Sequence, residues 1–514
     1  MCAWYLASAG AKVTIYERRK IVGGAAVTEE FHPGFKNSVA SYTVSLLHPS
    51  VIKDLGLYER GLKIIKRPIS NFLPTEDGTY LKLGGGLERT QQAVSQFSRK
   101  DARRLPEYYR RLENVADVLR QLTITTPPNP KQPLQAGKAI LKQAWPVISG
   151  SLELMNDFRA LFLGSAQRYL DRWFESDPIK AAFGFDAVVG NYASPKSKAS
   201  AYVLLHHVFG EIDGDKGAWG HAVGGMGAIT TAMHEACLEA GVTIRTDAAV
   251  KQVLSEDTRV TGLELVNGET VKANLVAANV NPKLLYQQLL DENQLQLRFK
   301  QKMDNYRCGS GTFRMNVALD ELPDFSCLPG KELAEHHQSG IVIAPSLGYM
   351  HQAYVDAQKN GWSENPIVEM LIPSTIDDSL APKGKHVASL FCQQFAPELD
   401  HGRDWKDHRL AAAETIIDTV NKHAPNFRDS ILGQQILSPQ DLEKKFGLIG
   451  GDIMHGNMSP DQMWMARPAV GYGDYRGPLE GLYMCGAGTH PGGGVTGLPG
   501  KNAAREILHD LNPS

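Results

Sequence analysis

Cys2-Ala3-Trp4-Tyr5-Leu6-Ala7-Ser8-Ala9-Gly10-Ala11-Lys12-Val13-Thr14-Ile15-Tyr16-Glu17 is the stretch on which the fold turns. Its first half is small and apolar and stops at Gly10, which reads as the last turns of a helix with glycine just past the end. Lys12 to Tyr16 alternates and is β-branched, so it reads as a short strand, and Glu17 closes it with an acid. Helix, strand and acid make the second half of a dinucleotide-binding βαβ unit. In such a unit the acid accepts hydrogen bonds from the adenosine ribose and stands about 20 residues after a glycine fingerprint. Counting back from Glu17 places that fingerprint and its strand ahead of Met1. Many α/β proteins contain a helix–strand–acid run, so this stretch alone leaves both readings open.

The next residues narrow the choice. Arg18-Arg19-Lys20-Ile21-Val22-Gly23-Gly24-Ala25-Ala26 sets two glycines shortly after the acid, where glycine lets the main chain pass close to a sugar or a pyrophosphate. The run from Glu17 to Ala26 resembles the E-R-x-x-x-x-G-G-x-A signature of the FAD-dependent amine oxidase and phytoene desaturase superfamily. The continuation Thr28-Glu29-Glu30-Phe31-His32-Pro33-Gly34-Phe35, with Ser41-Tyr42 and Ser45-Leu46-Leu47, is similar to one branch of it. That branch is the pyridine nucleotide-disulfide oxidoreductase domain-containing protein 2 group, phytoene desaturase-like proteins of bacteria and animal mitochondria. By this resemblance Glu17, Arg18, Gly23 and Gly24 touch FAD.

At the other end, Gly481-Leu482-Tyr483-Met484-Cys485 is a short apolar strand running into a loop in which seven of the fifteen residues from Gly486 to Gly500 are glycine. That is too many for a helix or a central strand. Helical spacing resumes at Asn502. Strand, glycine loop and helix together aim backbone N–H groups and a helix N-terminus at an electron-rich ligand. The loop is similar to the second flavin motif of the superfamily, which implies cofactor contacts from Gly486, Ala487, Gly488, Gly493, Gly494 and Val495.

A third match lies between the two. Gly224-Gly225-Met226-Gly227 leads into a helix to Gly241, then to Val242-Thr243-Ile244-Arg245 and Val250. A plain helix–strand crossover explains this as well. The resemblance puts Gly225 and Met226 beside the flavin and gives Val250 a backbone contact on the adenine side. Asn267-Gly268 between two alternating runs predicts a hairpin of type I′. The expected architecture is α/β: a Rossmann-like FAD-binding domain, incomplete at its N-terminus, interleaved with an α+β substrate domain. Segments 1–90, 216–290 and 468–514 fall to the cofactor, and 91–215 and 291–467 to the substrate. Without the phosphate-cradling turn and the first strand, FAD is expected to bind weakly.

Composition fits an ordinary folded chain and closes several other classes. Of 514 residues, 42% are hydrophobic and 21% charged, which excludes disorder and a collagen repeat. A net charge of -2 offers no basic field for nucleic acid and no polybasic membrane address, and leaves room only for a local patch. No run of eighteen apolar residues suggests a spanning helix. Cys2, Cys237, Cys308, Cys327, Cys392 and Cys485 contain no C-x-x-C pair, so neither a zinc site nor a vicinal dithiol is expected. His206-His207 diverge by ~100° on a helix, and no third ligand stands near them. No metal is expected.

Flavin chemistry moves a hydride to the cofactor, leaving the protein to hold the substrate, exclude water and handle a proton. His490, inside the glycine loop, is the candidate catalytic residue; its alternative is to fix the loop by hydrogen bonding. His455, Asp461, Gln462 and Arg467 resemble a family segment facing the substrate, and each is equally explicable as a cap or a surface pair. Amine oxidases usually present an aromatic cage near the ring, and Tyr472 and Tyr475, before the last strand, are candidates for it with no further support in the sequence. Leu134 to Phe174 is helical, with Trp145, Leu154, Phe158, Leu161 and Phe162 on apolar positions. Such a stripe lines a tunnel, touches a bilayer or, most simply, fills the core. The expected function is FAD-dependent dehydrogenation or isomerisation of a hydrophobic, carotenoid- or retinoid-like, or amine substrate, and not disulfide reduction. The alternative is a catalytically silent binding or regulatory protein of this fold, one with a protein partner. The resemblance implies a cytoplasmic location in a bacterium and the mitochondrial matrix in an animal.

Overall fold

The computed structural model describes residues 1–206 and 208–512. The opening helix, Cys2–Ser8, ends as expected, with Gly10 left-handed at φ 91°. The strand Thr14–Tyr16 then pairs in parallel with Thr243–Arg245. A second parallel pair joins Val276–Ala278 to Leu482–Met484, the strand before the glycine loop. These are two separate two-stranded sheets, each open at an edge. The opening helix and the closing helix Leu498–Leu511 pack on both: Cys2, Leu6 and Ile507 share one core with Val13 and Ala277.

A seven-stranded sheet forms the second unit, in the order Ile431–Leu437, Thr312–Leu319, His386–Gln393, Ile367–Leu371, Gly340–Ile343, Asn71–Pro74 and Tyr80–Leu83. All neighbours are antiparallel except Gly340–Ile343 with Asn71–Pro74. Alternation sorts its faces. Phe313, Met315, Val317 and Leu319 meet the helix Trp405–His423 on one side. Val342, Ile367 and Phe391 meet a bundle of helices on the other. That bundle runs through Arg99–Thr123, Pro133–Ile148, Leu152–Leu163, Ala166–Trp173 and Asp177–Asp186.

Three expectations change. Asn71–Pro74 and Tyr80–Leu83 belong to the large sheet, so the first change of unit comes before residue 71 rather than at 90. Phe299 and Met303 share a core with Val253 and Leu482, so the cofactor-side segment runs past 290. The Asn267-Gly268 hairpin forms, but Gly268 alone is left-handed and Leu265 pairs with Glu269. Its loop therefore has three residues, which suits a bulged turn rather than type I′.

Candidate functional site

Glu17 ends the first parallel pair. Its amide donates to the Arg245 carbonyl (2.9 Å), and its carbonyl accepts from the Ala248 amide (2.9 Å), two residues before Val250. The main chains carrying Glu17 and Val250 thus meet at the carboxyl ends of parallel strands, where ligands of open α/β sheets bind. The Glu17 carboxylate accepts from the Arg19 amide (2.8 Å). Arg18 turns away, donating to the Lys444 and Lys445 carbonyls (3.2 and 2.7 Å) at the end of the helix Pro439–Phe446. Its side chain caps that helix, so a cofactor contact there falls to its main chain. Gly23 and Gly24 divide the work of their turn. At Gly23 (φ 118°) a Cβ would stand 2.7 Å from Thr230 Oγ1, so the glycine permits close packing on the helix Gly227–Glu239. Gly24 (φ 54°) faces open space.

Gly225 and Met226 hold the fold instead of presenting donors. The amides of Gly224, Met226 and Gly227 are taken by Asp377 Oδ2 (2.7 Å), Ser38 Oγ (2.9 Å) and Thr28 Oγ1 (3.0 Å). Asp377 also bonds His221 Nε2 (2.8 Å). Met226 is buried with Ala26 and Ile229, and Val495 packs against the same core. The middle segment therefore braces the two glycine turns against each other.

The C-terminal loop contrasts with it. Gly486 and Gly488 lie hard against the end of Val276–Ala278; a Cβ would come within 2.4 Å of Asn279 Oδ1 and 2.5 Å of Pro282 Cδ. Gly492, Gly494 and even the β-branched Val495 are left-handed (φ 116°, 100° and 58°). The amides of Ala487, Gly488, Gly492, Gly493, Gly494 and Val495 find no acceptor among the described residues, although Gly488, Gly492 and Gly493 are buried. Buried main-chain donors are rarely left unpaired. A row of them along a curved loop fits an electron-rich group laid across it, and the residues present fit a flavin nucleotide on that ground. At Gly493 the close neighbour is Met454, whose Sδ a Cβ would meet at 2.9 Å. Bulk at Gly493 would press on protein before it pressed on a ligand.

Beside this loop is an apolar cavity of about 330 Å³. Leu119, Leu122, Val147, Phe158, Phe162 and Tyr202 form its walls, and His490, Pro491 and Gly493 bring the loop to it. His490 Nε2–H donates to the Leu122 carbonyl (2.9 Å), and Tyr475 Oη donates to the His490 carbonyl (3.0 Å). The loop-fixing role foreseen as the alternative is therefore present. Nδ1 is buried without a partner, and burial, reinforced by the Arg467 charge, holds the ring's pKa down to about 4. The ring is neutral near pH 7, with Nδ1 left as an unused acceptor.

Of the other candidates, none lines this space. Asp461 is exposed and paired with Arg307 (2.7 Å). Gln462 clamps the Arg307 backbone, accepting at 2.8 Å and donating at 3.0 Å. His455 is half-buried, its Nδ1 unpartnered, and burial together with Arg467 lowers its pKa to about 4. Arg467 is fully buried and spends its donors on the carbonyls of Met454, Ala487, Gly456 and Gln462. It ties the 454–462 segment to the glycine loop. The residues of this region that do reach the cavity are Met463 and Trp464. Trp464 Nε1 donates to Gln143 Oε1 (3.1 Å). Tyr472 meets Phe299 edge to face beneath Lys131, and Tyr475 is buried; neither lines the cavity, so neither forms an aromatic cage there. The stripe after Leu134 divides: Leu161 is core, Phe158 and Phe162 line the cavity, and Trp145 is 58% exposed.

Cys2 and Cys485, far apart in sequence, pack in one core. Spacing could not foresee this contact, yet no cysteine lines the cavity. His207 lies outside the described residues. Among the described residues no cluster of His, Cys, Asp and Glu could hold a metal ion, and no helix is long and apolar enough to cross a membrane.

Parallel strand pairs with glycine turns at their carboxyl ends, and a large mixed sheet beside them, are the architecture of FAD-binding α/β proteins. Residues 1–313 match the model of the flavin-containing amine oxidoreductases. The rat protein called pyridine nucleotide-disulfide oxidoreductase domain-containing protein 2 is 38% identical over 99% of this chain and 91% of its own length. The chain belongs to the flavin-containing amine oxidoreductase family and, within it, to the group of that rat protein. The lycopene-forming phytoene desaturase of Pantoea ananas is 24% identical over 98% of this chain and 96% of its own. An oxidoreductase from Methanosarcina mazei shares the fold, with a TM-score of 0.61 at 15% identity, over 99% of this chain and 96% of that one.

Proposed function

We propose that this protein is an FAD-dependent oxidoreductase that dehydrogenates or isomerises an apolar substrate. The observation that carries the reading is the apolar cavity of about 330 Å³ abutting a loop of unpaired main-chain donors. Glu17 and Val250 would hold the adenosine end, Gly24 the sugar and pyrophosphate, and the 486–495 loop the ring. FAD, when bound, supplies the hydride acceptor. The chain's own part is to enclose and orient. Phe158, Phe162 and Tyr202 exclude water, Trp464 and Gln143 join two walls, and His490 accepts a hydrogen bond or a proton through Nδ1. A base with a pKa near 4 is weak at neutral pH, which favours orientation over proton abstraction.

An amine substrate is the second reading. Membership of the amine oxidoreductase family favours it, and Glu211 on the cavity lining is the carboxylate an ammonium would need. A disulfide substrate is disfavoured because no thiol borders the cavity. The test is spectroscopic and then kinetic. Purified protein should carry, or take up, a yellow chromophore that dithionite bleaches, and should reduce an artificial electron acceptor with polyenes or simpler alkenes faster than with amines. A folded protein that stays colourless with excess FAD would sink the proposal. Amine turnover without alkene turnover would transfer it to the second reading.

A further inference from the structure

The helix Pro133–Ile148 has two apolar faces where a surface helix ordinarily has one. Ala144 and Val147 line the cavity. On the outer face Leu134, Leu141, Trp145 and Ile148 are 84, 58, 58 and 56% exposed, spaced seven, four and three residues apart along one stripe. The next helix, Leu152–Leu163, continues the patch with Leu152, Met155 and Leu163, also exposed and on one face of their helix. Eight large hydrophobic side chains exposed between residues 134 and 163, counting Ile140, are concentrated beyond the scattering normal for a surface.

Charge identifies the occupant. From Pro127 to Leu152 there is no acidic residue, while Lys131, Lys138 and Lys142 are present. Lys131 is stacked on Tyr472, and Lys138 and Lys142 form no ion pair among the described residues. Lys138 lies on the exposed stripe between Leu134 and Leu141, and Lys142 flanks it. An apolar stripe carrying Trp, with Lys138 and Lys142 at its margins and no acid on Pro133–Ile148, has the chemistry of a helix lying in the headgroup layer of an anionic membrane. On Leu152–Leu163 the acids are already neutralised: Glu153 is paired with Arg110 and Arg111, and Asp157 with Arg111. In a chain whose net charge is -2, this local basic surface stands out.

We propose that the face formed by Pro133–Ile148 and Leu152–Leu163 docks on an anionic phospholipid bilayer, with the inner side of the same helix roofing the cavity. An apolar substrate then passes from the acyl layer into the cavity without crossing water. That delivery role rests on the cavity being the substrate chamber; the surface contact does not.

The experiment is co-sedimentation of the full chain with vesicles of phosphatidylcholine, alone or mixed with phosphatidylglycerol. The wild type should pellet with the mixed vesicles, less so at high salt. Leu141→Glu combined with Trp145→Glu should lower the partition coefficient on the order of tenfold or more, since two large apolar side chains no longer enter the interface. Lys138→Glu with Lys142→Glu should abolish the preference for phosphatidylglycerol. Both pairs are exposed, and an unchanged melting curve verifies that the fold survives. Wild type that stays in the supernatant, or a Leu141→Glu/Trp145→Glu variant that pellets equally, overturns the proposal. So does a wild-type dimer that this variant dissolves while neither form binds vesicles. Flavin absorbance is recorded separately. A colourless protein that still pellets defeats the flavin reading and leaves this one standing.

Discussion

His490 is tied to the scaffold through one ring nitrogen and keeps the other without a partner. Its Nε2 is committed to Leu122, and its Nδ1 is buried and free. In the unfolded chain the ring takes a proton near pH 6.5, and in the folded chain only near about 4. Between those values the unfolded state binds more protons. Stability is therefore complete above about pH 6.5 and falls as pH drops toward 4, at about 1.4 kcal/mol per pH unit for one such histidine. Urea denaturation from about pH 7 down to about pH 5 should show this slope, with His455 adding to it. His490→Asn should remove about one proton's worth of slope, whatever it does to the midpoint at neutral pH. A variant with the wild-type slope would mean that the histidine titrates normally in the folded state. The position could be found in sequence because it sits inside a glycine run; its partner, a carbonyl at Leu122, could not.

At the scale of elements, the bundle over the cavity depends on a junction that hydrophobic periodicity does not reveal. Asp101, in the first turn of Arg99–Thr123, is fully buried. It accepts from the Glu175 amide (2.9 Å), the Ser176 amide (2.9 Å) and the Ser176 hydroxyl (2.6 Å), at the start of Asp177–Asp186. One carboxylate thus joins two helix N-termini, where negative charge is favoured. Asp101→Ala would leave buried donors unpaired and should cost about 3 kcal/mol or more, read as a lowered midpoint in thermal or urea unfolding. A change within about 0.5 kcal/mol would show that solvent replaces the carboxylate freely. The glycine loop, the opening helix and the strand ending at Glu17 were legible because glycine placement and strand alternation are local signals. The duties of Gly225 and Met226 were not, because Asp377, Ser38 and Thr28, which use the amides there, are brought in by tertiary folding. For the same reason Asp461 and Gln462 were chosen where Met463 and Trp464, one and two positions on, line the cavity.

At the scale of the whole molecule, the proposed cofactor surface is assembled from residues 17–26, from the region of Val250, and from 486–495. Anything that binds across all three stabilises the folded state by RT ln(1 + [L]/Kd), about 2.7 kcal/mol at a hundredfold excess over Kd. FAD should therefore raise the melting temperature in a concentration-dependent way. Riboflavin, which lacks the adenosine assigned to Glu17 and Val250, should raise it less. In Glu17→Ala the gap between the two ligands should narrow. Equal shifts from FAD and riboflavin in the wild type would place the adenosine elsewhere. The interleaving of the two units was legible in outline, from where the three glycine-bearing segments fall. Its boundaries were not, because Asn71–Pro74 and Tyr80–Leu83 look like any short strands until their neighbours from the far side of the chain are known.

Arg467 carries a further consequence. A positive charge is sealed behind the glycine loop and answered by carbonyl oxygens at Met454, Gly456, Gln462 and Ala487; the buried Asp452 carboxyl that feels this charge is itself pushed toward its neutral form by burial. Dipoles of that kind spread the charge without cancelling it. The electrostatic potential in front of the loop is therefore biased positive, and that bias falls off slowly in a region poor in water. A guest that gains an electron pair there is held more tightly after the gain than before it, so the interior favours the reduced form of whatever it holds.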